Sequence, residues 1–216
     1  MPVYENTKLI LEKIGRTKLV CITKTIDPER INEAIRAGAT IIGENRVQEY
    51  EDKREDILPC EAHLTGHLQT NKVKKAVQLF DVIQSIDSLN LIRDIDRRAR
   101  DISKIQRVYL QVNIGNEPQK YGFGPDEIKN AITEIRSLRN VRVEGLMCIP
   151  PFVPPEKTRS YFRKMKALFD EMKQENRDNI DIRMLSMGMS SDYRIAIEEG
   201  ATMVRVGSAI FGKRKY

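Results

Sequence analysis

The chain has 216 residues, 40% of them apolar and 31% charged, with a formal net charge of +6 and a pI near 9.2. That is enough apolar material for one domain with a substantial core, and a composition unlike that of a disordered chain. No apolar run approaches the roughly eighteen residues of a membrane span, and residues 1–14 lack the pattern of a signal peptide, so a cytoplasmic protein with no membrane partner is expected.

An alternation runs the length of the sequence. Short apolar runs at 18–23, 40–43, 62–65, 82–85, 107–114, 143–149, 182–186 and 202–206 predict eight strands. Runs this continuously apolar suit a parallel sheet covered on both faces. Between them lie segments with helical spacing. Residues 27–37 carry Pro28 in the first turn, Ile31 and Ile35 on one face, and Gly38 as a stop. Segments 47–56 and 71–79 follow their strands. Segment 87–100 places Leu91, Ile95 and Ala99 at intervals of four, and 125–138 has Ile128, Ile132 and Ile135. Segment 155–175 carries Phe162, Met165, Phe169 and Met172, and 190–199 stops at Gly200. Eight β–α alternations without a linker predict an α/β fold, a single-domain (β/α)8 TIM barrel over residues 1–216; an open sheet is the alternative. In a barrel the chemistry belongs where strands end and loops begin.

Lys24 follows the first predicted strand directly. Partial burial at the barrel mouth would lower its pKa, and a neutral amine condenses with aldehydes. The plain alternative is a lysine reaching water. Glu44 and Asn45 follow the second strand and are expected to face the same mouth, unless Asn45 caps the next helix. His63 and His67 stand too far apart along a strand to chelate, and no third histidine exists, so no metal site is expected. A polar loop closing the mouth is the better reading of that segment. Asn113 precedes a glycine-bearing loop, 115–124, with Lys120 and Tyr121; it covers the pocket or makes a surface excursion. Met147 reads as core. Cys21, Cys60 and Cys148 form no CxxC pair and read as thiols of a reducing compartment. Serines and glycines follow the last two strands: Ser186, Gly188 and Ser190, then Gly207, Ser208 and Gly212. Those are the loops with which barrels grip phosphate. Arg205, inside an apolar run, needs an anionic or hydrogen-bonding partner. Lysine and arginine form no stripe with interleaved aromatics. Their only tight cluster, Lys213, Arg214 and Lys215, reads as a solvated tail, so nucleic acid is not an expected partner.

Taken together, Ile22-Thr23-Lys24-Thr25, Gly43-Glu44-Asn45-Arg46-Val47-Gln48-Glu49, His63 with Gly66, Leu68, Gln69 and Asn71-Lys72, Gly145-Leu146-Met147, Leu185-Ser186-Met187-Gly188-Met189-Ser190-Ser191-Asp192, and Val204-Arg205-Val206-Gly207-Ser208 with Phe211-Gly212 resemble the pyridoxal phosphate homeostasis proteins. The resemblance spans nearly the whole chain. It implies the fold of the alanine racemase N-terminal domain and pyridoxal 5′-phosphate (PLP) as cofactor. It makes Lys24 the lysine of the Schiff base, Asn45 a pocket residue beside the ring, and Ser186, Gly207 and Ser208 phosphate contacts. Arg205 becomes the arginine facing the pyridine nitrogen, always protonated and so weakening the ring as an electron sink. Met147, within a matching motif, joins the cofactor-pocket candidates. Lys120 loosely matches a second lysine that family members carry before a glycine, proposed to handle the cofactor in transit. Family members usually have a longer N-terminal helix; about seventeen residues precede the first strand here. The implied function is PLP homeostasis without strong catalysis, with PLP-dependent apoenzymes as recipients. The alternative is a PLP-dependent amino-acid racemase or other weak PLP enzyme. Against it, the chain leaves no room for the extra β-domain that supplies a second base in alanine racemases, and only Tyr121 or Tyr193 could substitute. No apolar stripe demands a dimer, so a monomer is expected.

Overall fold

Why eight strands close on themselves follows from their pattern. Each is short, apolar on both faces, and joined to the next by a helix long enough to make a parallel crossover. The computed structural model describes residues 2–212. Helix α1 (Val3–Ile14) leads into β1 (Lys18–Ile22). There follow α2 (Pro28–Arg36), β2 (Ile41–Glu44), α3 (Val47–Lys53), β3 (Glu61–Leu64), α4 (Val73–Leu79), β4 (Val82–Ile86) and α5 (Leu89–Asp101). The chain continues with β5 (Gln106–Val112), α6 (Ile128–Ile135), β6 (Val141–Cys148), α7 (Pro155–Met172), β7 (Ile180–Ser186), α8 (Tyr193–Glu198), β8 (Met203–Val206) and α9 (Ser208–Phe211). The strands form a closed barrel in sequence order, all pairs parallel, and β8 returns to β1 through Lys18↔Met203 to Cys21↔Val206. This is the (β/α)8 barrel expected from the alternation.

Alternation along each strand sorts side chains into two layers. Val20, Ile41, Val82, Tyr109, Met147, Met184 and Met203 fill the interior, with Ile22 against them. Cys21, Ile42, Leu64, Ile83 and Leu185 face the helices in the larger outer core. Lys24, Asn45, Ser186 and Arg205 keep the interior parity of Val20, Ile41, Met184 and Met203. Glu44 takes the other parity. Contrary to expectation, it does not face the mouth: it lies under α3, fully buried and paired with Lys53 at 2.8 Å.

Strand and helix ends shift where side chains capture backbone. β5 stops at Val112 because Asn113 turns the chain, donating from Nδ2 to Glu117 O and accepting the Glu117 N–H at Oδ1. α8 starts at Tyr193, three residues later than predicted, because Asp192 Oδ1 accepts the Met189 N–H and builds a turn first. Helix α1 buries Val3, Thr7, Ile10 and Ile14, and Asn6 Nδ2 donates to Ile210 O of α9 at 2.9 Å. Cys21 and Cys148 are buried and free, and burial pushes both thiols to about 12, which makes them hydrophobes. Among the described residues no helix is long and apolar enough to cross a membrane. The basic cluster Lys213, Arg214 and Lys215 lies outside the described residues.

Candidate functional site

A cavity of about 620 Å³ opens at the C-terminal ends of the strands. Its walls come from β1, β2, β3, β6, β7 and β8 and the loops after them.

The β1 wall carries Lys24, half-buried. Thr25, next in sequence, has φ +63°, a left-handed conformation that a β-branched residue adopts only under constraint. The constraint is α3. Lys53 Nζ donates to Thr23 O (2.9 Å) and Ile26 O (3.3 Å) and pairs with Glu44 and Glu49. Glu49 Oε1 accepts the Thr25 N–H, and Glu44 Oε1 accepts the Thr23 hydroxyl, both at 2.5 Å. The backbone on both sides of Lys24 is thus pinned. Burial raises the Glu44 pKa, with Lys53 opposing.

Asn45 and Thr65 form the adjoining wall. Asn45 Oδ1 accepts from Thr65 Oγ1 at 3.2 Å, and α3 receives no side-chain cap. Asn45 therefore belongs to the cavity rather than to the helix start. Gly66 explains the approach of these two strand ends: a Cβ there would stand 2.3 Å from Asn45 O.

Arg205 forms the floor and is 4% exposed. Its guanidinium donates from Nη1 to Ser186 Oγ (2.9 Å) and from Nη2 to Cys148 O (2.8 Å). Burial pulls its pKa below the ordinary arginine value, yet a guanidinium starts so high that it stays protonated at neutral pH.

The far wall is made by the loops after β7 and β8: Met189, Ser190, Ser191, Gly207 and Ser208. Ser190 Oγ ties the two loops, accepting the N–H groups of Gly207 (3.2 Å) and Ala209 (3.3 Å).

Of the residues singled out from sequence, Lys24, Asn45, Ser190, Arg205, Gly207 and Ser208 line the same cavity. Ser186 and Met147 do not: both are fully buried beneath it. Met147 packs in the inner core, and the Ser186 hydroxyl is engaged by Arg205 and Gln84. Sequence reasoning passed over Ile22, Thr65, Ile149, Met189 and Ser191 as lining. Interior parity would have found Ile22, and the serine pair after Gly188-Met189 was itself a signal. The lining holds two cations, Lys24 and Arg205, and no carboxylate. Such a set of an amine, a guanidinium, hydroxyls and backbone amides fits an anionic, aldehyde-bearing ligand.

Residues 3–215 match the family described as alanine racemase, N-terminal domain. The chain is 43% identical over 221 residues to the pyridoxal phosphate homeostasis protein of Aquifex aeolicus, covering 99% of this chain and 96% of that one. It is 37% identical to the protein of that name from Pasteurella multocida, covering 92% and 87%. The chain belongs to the pyridoxal phosphate homeostasis protein family. The structure of PipY of Synechococcus elongatus PCC7942, solved with PLP bound, superposes with a TM-score of 0.89 at 33% identity, covering 97% of this chain and all of that one.

In this chain the loop 115–124 is strapped along the rim. Tyr121 stacks on His67 with ring centroids 3.6 Å apart and planes 10° from parallel. Tyr121 O accepts from Gln111 Nε2, and His67 Nδ1 meets Asp87 Oδ2 at 3.0 Å. Lys120 Nζ donates to Pro150 O at 3.0 Å and pairs with Glu117. Neither Lys120 nor Tyr121 lines the cavity, and Tyr193 lies buried behind the β7 loop. Among the described residues no group of three His, Cys, Asp or Glu side chains could hold a metal ion.

Proposed function

We propose that this chain binds PLP in the barrel-mouth cavity as a Schiff base on Lys24 and serves PLP homeostasis in the cytoplasm, without strong catalysis of its own. The supporting observation is the convergence of Lys24, Arg205 and the Ser190–Gly207–Ser208 wall on one cavity free of carboxylates. When bound, the cofactor supplies an electrophilic aldehyde and an electron-withdrawing ring. Lys24 offers the amine, held in place by the α3 clamp on its flanking backbone. Arg205 presents only donors to a ring nitrogen, and a protonated guanidinium keeps that nitrogen from acquiring a proton. Gly207 and Ser208 line the phosphate end, where Ser190 Oγ accepts the Gly207 and Ala209 N–H groups and ties the two loops. Ser186 serves through Arg205, and Met147 supports the floor from below.

Two-sided proton transfer at a substrate carbon needs two bases. Among the lining residues Lys24 is the one amine, and no carboxylate, imidazole or phenol stands beside it. Tyr121 and Tyr193, the alternatives for a second base, stand outside the lining. This favours a carrier, acting as a monomer and giving PLP to PLP-dependent apoenzymes, over a racemase.

The purified protein is expected to show a visible band near about 420 nm, as a protonated Schiff base does, that bleaches with borohydride and is lost in Lys24→Ala. Retention of the band in Lys24→Ala would refute the linkage. Rapid racemisation of alanine by the same sample would refute the carrier.

A further inference from the structure

Five side chains from four strands form one hydrogen-bonded file through the barrel interior. Arg205 Nη1 donates to Ser186 Oγ (2.9 Å), and the Ser186 hydroxyl donates to Gln84 Oε1 (2.7 Å). Gln84 Nε2 meets His63 Nδ1 at 2.6 Å, and His63 Nε2 meets Glu61 Oε1 at 3.0 Å. The three middle members are buried, His63 at 1% exposure and Gln84 and Ser186 at none. Beyond Glu61 the file reaches Arg107 at 2.8 Å, in the charged cluster that also holds Glu144 and Arg183.

The ends of the file fix its direction. A guanidinium only donates and a carboxylate only accepts. Each middle group can then donate once and accept once, which makes the imidazole neutral with its proton on Nε2. Turning Gln84 over would aim its NH₂ at Ser186 and its oxygen at Nδ1. A neutral His63 would then oppose a lone pair to the Glu61 carboxylate, and the Ser186 proton would lose its acceptor. Burial disfavours a charged His63 ring and, with Arg107, outweighs Glu61 and Asp81, which favour one. Tyr109 packs edge-on at 6.2 Å, and Met203 Sδ closes the Gln84 side at 3.3 Å.

We infer that Glu61, His63, Gln84 and Ser186 are positioning residues that hold the Arg205 guanidinium in one orientation under the cavity through a file of donors running in one direction. Its use toward a cofactor ring rests on the function proposed above; the file itself does not.

The test is nitrogen NMR on the full-length protein without added PLP. The chain has two histidines, so His67→Ala identifies the His63 signals. His63 is expected to keep the neutral Nε2–H pattern across the range in which an ordinary histidine titrates. Gln84→Glu, which replaces a donor with an acceptor, is expected to convert His63 to imidazolium. Gln84→Leu and Ser186→Ala cut the file and are expected to merge the separate Arg205 Nη signals into the averaged pattern of a rotating guanidinium. Ser186→Thr, which keeps the hydroxyl, should restore them, and it preserves the test if Gln84→Leu fails to fold. An ordinary His63 titration, an Nδ1–H ring, or Arg205 signals indifferent to both cuts would overturn the inference. With PLP added, both cuts are expected to weaken binding about tenfold, roughly the loss of one hydrogen bond to a charged group, and to shift the visible band while retaining it. Failure of the function itself would show differently, as the lack of a Lys24-dependent band in the unaltered protein, and would leave the NMR result standing.

Discussion

His63 has 1% of its surface exposed, and burial holds its pKa below the ordinary 6.5. Its neighbour Glu61 is held at about 2, first by the hydrogen bond from His63 and then by Arg107. Both shifts act on stability with the same sign. As pH falls through 6.5 the unfolded histidine takes a proton that the folded one refuses. Between 4.5 and about 2 the unfolded glutamate does likewise. The unfolded state binds more protons throughout, so stability falls with falling pH, at no more than about 1.4 kcal/mol per pH unit for each proton. Urea midpoints are expected to decline from about pH 7 to about pH 5, and to decline less steeply in His63→Gln, which has no imidazole to titrate. Identical slopes would show that another group sets the acid limb. At this scale the sequence is partly legible. Lys24 and Arg205 announce themselves as charges attached to apolar strands. Glu44 misleads, because its cation Lys53 stands on the following helix and nothing local reveals the pairing. Ser186 is visible as a hydroxyl at a strand end, but its acceptor Gln84 lies 102 residues earlier.

Helix α3 does more than cover β2 and β3. Through Lys53 and Glu49 it fixes the turn that carries Lys24 and compensates a left-handed Thr25, a conformation costing about 1–3 kcal/mol. The Lys53 side chain is 11% exposed and Glu44 not at all, so Lys53→Met would strand a buried carboxylate. The expected cost is about 3 kcal/mol by urea unfolding, together with slower Schiff-base formation as the turn relaxes. Adding Glu44→Gln should recover part of the stability, since the uncompensated charge is then gone. No recovery in the double variant would mean that Lys53 acts through packing alone. The longer helices were readable because an apolar stripe recurs along them, as in α5 with Leu91, Ile95 and Ala99. α9, four residues long, carries no period to read, and α8 is shortened by a turn built on a side-chain bond.

Over the whole molecule, eight alternations made the barrel visible in one dimension. They did not contain its register, which shifts between Val108 and Tyr109 and again between Val143 and Gly145. Such shifts depend on how neighbouring strands stagger to close a ring. The site was legible to the extent that interior parity carried Lys24, Asn45 and Arg205 to the same end; the file beneath them needs four strands to be brought together first. The molecule carries +6, and the cavity lining has two cations without a carboxylate. Attraction of a phosphorylated ligand should therefore be long-ranged and screened by salt. Association of PLP, followed by stopped-flow at the visible band, is expected to slow several-fold between about 0.02 M and about 0.5 M salt. A rate independent of salt would mean that these cations act only on contact. The order in which the walls are made has a further consequence. The Gly207–Ser208 part of the far wall and the strand that seals the ring to β1 are both supplied by residues 203–211, the last described elements to be synthesised. A ribosome extends the chain at roughly 5–20 residues per second from the N-terminus, so the Lys24 amine is exposed to cellular aldehydes for seconds before any enclosure exists. A cavity able to enclose a phosphorylated ligand is therefore complete only once residues 203–211 have joined β1.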